Sequence, residues 1–184
     1  AVLVVTASAR RAKPDSDALL RRTLDSLARA TGYERQNVLL AHDDGQLTTV
    51  QLAQEVFGLA RLQVDRADAG EDGQSALYKA ALTHAVGKHF AKARTLLVLE
   101  EGLLVAPDIL WYFAQLEPVL AADDSLLCAS AFNDNGLAPY VSDPTVVMRT
   151  DWFSGVAWMV RRETLLEELL PIWPLKKSWR SVVR

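Results

Sequence analysis

The sequence predicts an α/β fold, a mostly parallel central sheet with helices on both faces. Two observations predict it. Short apolar runs rich in β-branched residues alternate four times with segments of helical periodicity. Acidic, glycine-containing edges, "HDDG" and "EEG", close two of those runs, where a parallel sheet presents a ligand crevice outside the C-terminal ends of its strands.

Each element has its own justification. Val2 to Val5 is a β-branched run that reads as a buried first strand. After "KPDSD", a Pro and capping types, Leu20, Leu24 and Leu27 recur at spacings of four and three, which predicts an amphipathic helix ending before Gly32. Val38 to Leu40 is the second strand, His42 to Gly45 its polar edge, and "TTVQLAQEVFG" the next helix. Leu59 to Val64 reads as a third strand, and "DRADAGEDGQ" as an exposed loop because Asp, Gly and Glu crowd there. Ser75 to Phe90 is expected as helix, Thr95 to Leu99 as strand, and Pro107 to Leu120 as helix with Pro in its first turn. From Leu126 the pattern changes. "LLCASAF" reads as a strand, and "NDNGLAPYVSDP" and "RTDWFSG" bring turn formers and large aromatics.

The 184 residues are half apolar and carry a formal charge of −3, enough for one sizeable core and without the basic face that nucleic-acid binders present. Nucleic acid is therefore not an expected partner. A single cysteine, Cys128, excludes an intrachain disulfide and a cysteine-rich zinc site. No run of 18 or more apolar residues is present, so a signal or anchor is expected outside this chain. "LKKSWRSVVR" at the end carries Lys176, Lys177, Arg180 and Arg184 with no acid; it reads as a solvated tail or as a phosphate-binding arm.

The chemical candidates sit at the strand ends. Glu100 and Glu101 follow a strand, whose alternation sends neighbouring side chains to opposite faces, so one of the two can reach a ligand. Carboxylate oxygens suit Mg²⁺ or Mn²⁺ that borrow further ligands from substrate phosphates. Asp43 and Asp44 make a similar case, and "DDG" also reads as a plain turn. His84 and His89 lack a partner at metal-binding spacing and read as packed or exposed helix residues. G-x-S-x-G, Walker and G-x-G-x-x-G motifs are absent, which removes the common hydrolase and nucleotide fingerprints.

Four stretches, "LVLEEGLLVAPDILWYF", "DDSLLCASAFNDNG", "VMRTDWFSGVAWMV" and "EELLPIWP", occur in an order and spacing that resemble the N-acetylglucosaminyltransferase I family. "LVVTASAR", "LLAHDDG" and "YKAALTHAV" fit it more loosely. The resemblance implies a GT-A-type nucleotide-sugar-binding fold in one domain over residues 1–184, expected to be incomplete at its C-terminus. Residues 1–105 would form the nucleotide-binding part and 106–184 the acceptor side. It also implies an inverting transfer of N-acetylglucosamine from UDP-GlcNAc to a mannose of a glycoprotein glycan, a Golgi-lumen location, and Mn²⁺. By resemblance, Arg10 contacts the nucleotide, Asp43 reads the uracil, and Glu100, Glu101 and Gly102 occupy the family's acidic triplet. Asp134 and Trp152 fall on the acceptor side, and Asp151 is the candidate catalytic residue.

Two departures qualify that expectation. The family's triplet ends in an aspartate that holds Mn²⁺, whereas Gly102 offers no side-chain oxygen and leaves Glu101 as a weak substitute. Where the family has a tryptophan followed by acids, one of them the general base, this chain has Trp179, Arg180 and Ser181. A binding-only relative that keeps a sugar-nucleotide or glycan site is the alternative, and a generic α/β nucleotide module the third reading. Asp134 and Asp151 also fit turns built for their own sake, and Trp152, Phe153 and Trp158 also fit a core.

Overall fold

In the computed structural model, residues 1–6, 15–43, 51–65 and 73–174 are described below. Arg10, Asp44 and the basic segment from Lys176 to Arg184, including Trp179, Arg180 and Ser181, lie outside the described residues.

Among the described residues, six strands form one sheet in the order β3-β2-β1-β4-β6-β5. They are β1 (Val2–Val5), β2 (Val38–Asp43), β3 (Ala60–Val64), β4 (Thr95–Glu100), β5 (Cys128–Ser130) and β6 (Trp158–Arg161). The first four are parallel, with Val5 opposite both Ala41 of β2 and Glu100 of β4. β6 runs antiparallel to β4, Leu97 facing Met159, and β5 antiparallel to β6. The sequence reading did not anticipate β6. Its run "WMVR" follows a long irregular loop, and its pairing with β4 is a long-range choice that local pattern does not encode.

Alternation along the strands divides the core. On one face, Leu3, Val5, Leu39, Ala41, Leu96 and Val98 pack with Trp158 and Val160. There they meet α2 (Gly73–His84), its π-helical continuation Ala85–His89, and the segment from α4 (Arg162–Thr164) to Trp173. On the other face, Val2, Val4, Val38, Leu40, Leu97 and Leu99 pack against α1 (Ser16–Ala28), α3 (Ile109–Ala122) and the π-helical segment Leu52–Val56. Leu20, Leu24 and Leu27 of α1 are all buried, as their spacing predicts. Removing any of these side chains to Ala should cost about 2–5 kcal/mol.

Boundaries shift by small amounts. α2 begins two residues before Ser75, and α3 begins at Ile109, with Pro107 in the turn before it. β3 is an edge strand, exposed along most of its length.

Chain order explains where a crevice opens. β1, β2 and β3 progress outward on one side, and α2 then returns the chain across β1 to place β4 on the other side. The strand order therefore reverses between β1 and β4, and the switch point of a parallel sheet is where ligands bind at the C-terminal edge.

Candidate functional site

The edge at the switch point is tightly pinned. The Thr6 amide donates to Ala41 O at 3.1 Å, and the Glu101 amide to Val5 O at 3.0 Å, so the ladder continues one residue past β1 and β4. Gln74, in the first turn of α2, donates from Nε2 to Thr6 O at 3.0 Å. Beyond Gly102 the chain is held against α1. The Val105 amide donates to Ser26 Oγ at 3.1 Å and the Thr31 amide to Pro107 O at 2.8 Å. Between these anchors the backbone must reverse, and Gly102 takes φ +89°, the left-handed region that a side chain disfavours.

Two predicted acids lie on this edge. Asp43 ends β2 and is buried, in step with Leu39 and Ala41; Glu100 ends β4, in step with Leu96 and Val98. Both side chains are therefore directed to the α2 face, with β1 between them. Two strand spacings set them about 10 Å apart across the sheet, and the register puts Asp43 two residues further along than Glu100. Glu101, one residue on, lies half-buried in the turn after β4. A Cβ built on the next residue, Gly102, would meet Leu19 of α1 at 4.0 Å.

Glu100 is held by a partner the sequence reading did not single out. Tyr78 Oη donates to Glu100 Oε1 at 2.6 Å, a short charge-assisted bond. Tyr78 is fully buried and stacks on Trp173, with ring centroids 6.4 Å apart and planes 15° apart. Trp173 Nε1 in turn donates to Ser75 O at 3.0 Å and to Ser75 Oγ at 3.2 Å, while Ser75 Oγ donates to Pro174 O. The signal for Tyr78 was present in "YKAAL": a buried tyrosine carries a hydroxyl that needs a partner.

His42 points to the α1 face, buried at 1% exposure. Its Nδ1–H donates to Asp43 O at 2.8 Å, and Nε2 has no partner among the described residues. Burial pushes its pKa below the ordinary 6.5, against that hydrogen bond and with help from the positive charge of Arg61.

The acceptor-side candidates lie in the loop 131–157 between β5 and β6. Trp152 and Asp134 meet each other: the indole Nε1 donates to Asp134 Oδ2 at 2.6 Å, and both residues are exposed. Phe153 and Trp158 are core instead, packed edge to face at 5.3 Å. Ser130 anchors the loop base, its Oγ contacting Phe132, Ser154 and Val156. Asp151 is exposed and makes no hydrogen bond or ion pair among the described residues.

A resident metal does not fit the described donors. No group of three or more His, Cys, Asp or Glu side chains among the described residues could hold an ion. Gly102 has no side-chain donor, and Glu100 is engaged by Tyr78.

A switch-point α/β sheet carrying acids on its strand ends, extended by an antiparallel pair, is an α/β fold that solved structures share. 4-Diphosphocytidyl-2C-methyl-D-erythritol synthase superposes with TM-score 0.58 at 11% identity, over 99% of this chain and 82% of that one. S. aureus TarS 1–349 superposes with TM-score 0.54 at 14% identity, over 97% and 52%. At such identities the likeness is one of fold. The GNT-I family model matches residues 12–184, and the chain belongs to that glycosyltransferase family. It is 37% identical over 107 residues to the alpha-1,3-mannosyl-glycoprotein 2-beta-N-acetylglucosaminyltransferase of Arabidopsis thaliana. That match spans 58% of this chain and 23% of the relative.

Proposed function

We propose that this chain binds UDP-GlcNAc in the crevice at the C-terminal ends of β1 and β4 and presents it to a mannose-terminated glycan lying along the loop 131–157. The observation that carries this reading is the position of Glu100, a fixed carboxylate at the point where the strand order reverses. Asp43, with Arg10 by resemblance, would take the nucleotide. Glu100 would accept hydroxyls of the transferred sugar, and the exposed Trp152–Asp134 pair would offer the acceptor an apolar face beside a carboxylate.

The chemistry is a single inverting displacement. A base takes the proton from a mannose hydroxyl, the freed oxygen attacks the anomeric carbon of N-acetylglucosamine, and UDP departs with the electron pair of the broken bond. Asp151 is the proposed base, an exposed carboxylate in the acceptor-side loop. A donor and acceptor of the family's kind favour a Golgi-lumen location for this protein.

Gly102 favours a second reading, a relative that binds donor or glycan without turnover. With no side-chain oxygen at that position and no metal-binding group among the described residues, charge on a departing diphosphate lacks one stabilising element. Calorimetry with UDP and UDP-GlcNAc, followed by transfer assays on a mannose-terminated acceptor, separates the readings. Binding with transfer supports the enzyme, binding without transfer supports the second reading, and no binding at millimolar donor by folded protein removes the site.

A further inference from the structure

We propose that Tyr78 is a positioning residue for sugar-nucleotide binding, acting through Glu100 and braced by Trp173. The inference rests on the donor site proposed above and adds a residue to it. A glutamate at a strand end has three rotatable side-chain bonds, and a ligand that needs its carboxylate in one orientation bears the cost of ordering it. Here the ordering is done in advance. The Tyr78 hydroxyl holds Oε1 at 2.6 Å, and an ionised carboxylate retains further lone-pair sites after one such bond.

The tyrosine is itself immobilised from two directions. Its ring is fully buried in the core cluster between α2 and the sheet and lies parallel to Trp173. Ser75, one helical turn before Tyr78 on the same face of α2, receives the Trp173 indole N–H on both its carbonyl and its hydroxyl and bonds onward to Pro174. The "IWP" end of the fourth family-like stretch therefore reaches the crevice through two aromatic rings and one hydrogen bond. A tyrosine needed for packing alone would satisfy the core as phenylalanine; here the hydroxyl donates to Glu100 at the switch point.

Tyr78→Phe keeps the ring and removes the hydroxyl, and the probes are UDP-GlcNAc and UDP titrated by calorimetry. The expected result is a loss of about 5- to 10-fold in UDP-GlcNAc affinity, the scale of one net hydrogen bond. UDP, which lacks the sugar, should change less than about twofold. In a Glu100→Gln background the same substitution should cost less than about twofold, because residues acting through one another are non-additive. An equal loss in both backgrounds, an equal loss for UDP, or no loss at all overturns the positioning role. Should Tyr78→Phe fail to fold, Glu100→Gln alone, which weakens the same bond from the acceptor side, must lower UDP-GlcNAc affinity while sparing UDP; unchanged affinity overturns the inference. If the parent protein binds neither ligand, the donor site itself has failed, and the inference falls with it. Binding by the parent without a Tyr78 effect refutes this inference alone.

Discussion

Substitution at Gly102 separates backbone from chemistry. The residue sits at φ +89°, and among the described residues a Cβ placed there meets only Leu19 Cβ and Cδ2 at 4.0 Å, ordinary van der Waals contact. Sterics therefore permit a side chain, and the penalty is conformational. For an L-residue in the left-handed region it is about 1–2 kcal/mol. In a domain of 150–250 residues each kcal/mol moves Tm by about 2–4 °C. Gly102→Ala should thus melt about 2–8 °C below the parent. Gly102→Asp should lose less, because Asp tolerates positive φ better than Ala. The same Asp variant restores the oxygen that the family's triplet carries. With Mn²⁺ present, UDP should bind about tenfold tighter, equivalent to about 1.4 kcal/mol. In EDTA it should bind more weakly than to the parent, since a carboxylate then faces the diphosphate without a cation between them. Scanning calorimetry and titration calorimetry on the two variants read these effects independently. An Ala variant as stable as the parent refutes the strain argument. A folded Asp variant whose UDP affinity ignores Mn²⁺ refutes the placement of the triplet.

Three further outcomes are expected. His42 has a pKa below 6.5 in the fold because of burial, so between that lowered value and 6.5 the unfolded chain binds more protons than the native one. Its stability contribution is present above pH 6.5 and is lost as pH falls toward the folded value, with a slope of at most about 1.4 kcal/mol per pH unit. Urea denaturation from pH 7.5 to 5 should show a shallower slope for His42→Gln than for the parent, and equal slopes would assign the acid sensitivity elsewhere. Burial pushes the Cys128 thiol up to about 11; iodoacetamide at pH 8 should label it more than about 100-fold slower in the native protein than in urea, and comparable rates would contradict its burial. Asp151→Asn should lower any glycosyl transfer by about 10²-fold or more, as loss of a general base does, while leaving Tm nearly unchanged because the side chain is exposed; an unaffected rate places the base at another residue.

Much of the sheet was legible because its information is local. The parallel strands β1, β2 and β4 are β-branched or leucine-rich runs buried on both faces, and such runs stand out against amphipathic helices. β6 was not legible, for the choice of Leu97 opposite Met159 depends on how the loop 131–157 returns to the sheet. The aromatic residues at the end of that loop and the start of β6 were equally opaque. Trp152, Phe153 and Trp158 differ little in chemistry, yet two belong to the core and Trp152 is exposed and bonded to Asp134. Without helix or strand periodicity, nothing in the sequence assigns a face to an aromatic residue.

The acidic triplet position shows how local and long-range information combine. Its location at a strand end follows from sequence alone. What each side of that end meets does not. On the α2 side, Glu100 finds Tyr78 and, through it, Trp173, partners that α2 and the chain after α4 bring from far apart in sequence. On the α1 side, Leu19 lies under the position where Gly102 would project a side chain, while Ser26 and Thr31 fasten the segment that follows. These anchors leave the chain one short stretch in which to reverse, and the positive φ falls on Gly102. The residue that removes a side-chain oxygen from the site is therefore also the residue that the backbone at this turn prefers. Loss of the acid and ease of the turn favour the same amino acid, and for that reason stability and Mn²⁺-dependent affinity are expected to move in opposite directions when an aspartate is introduced there.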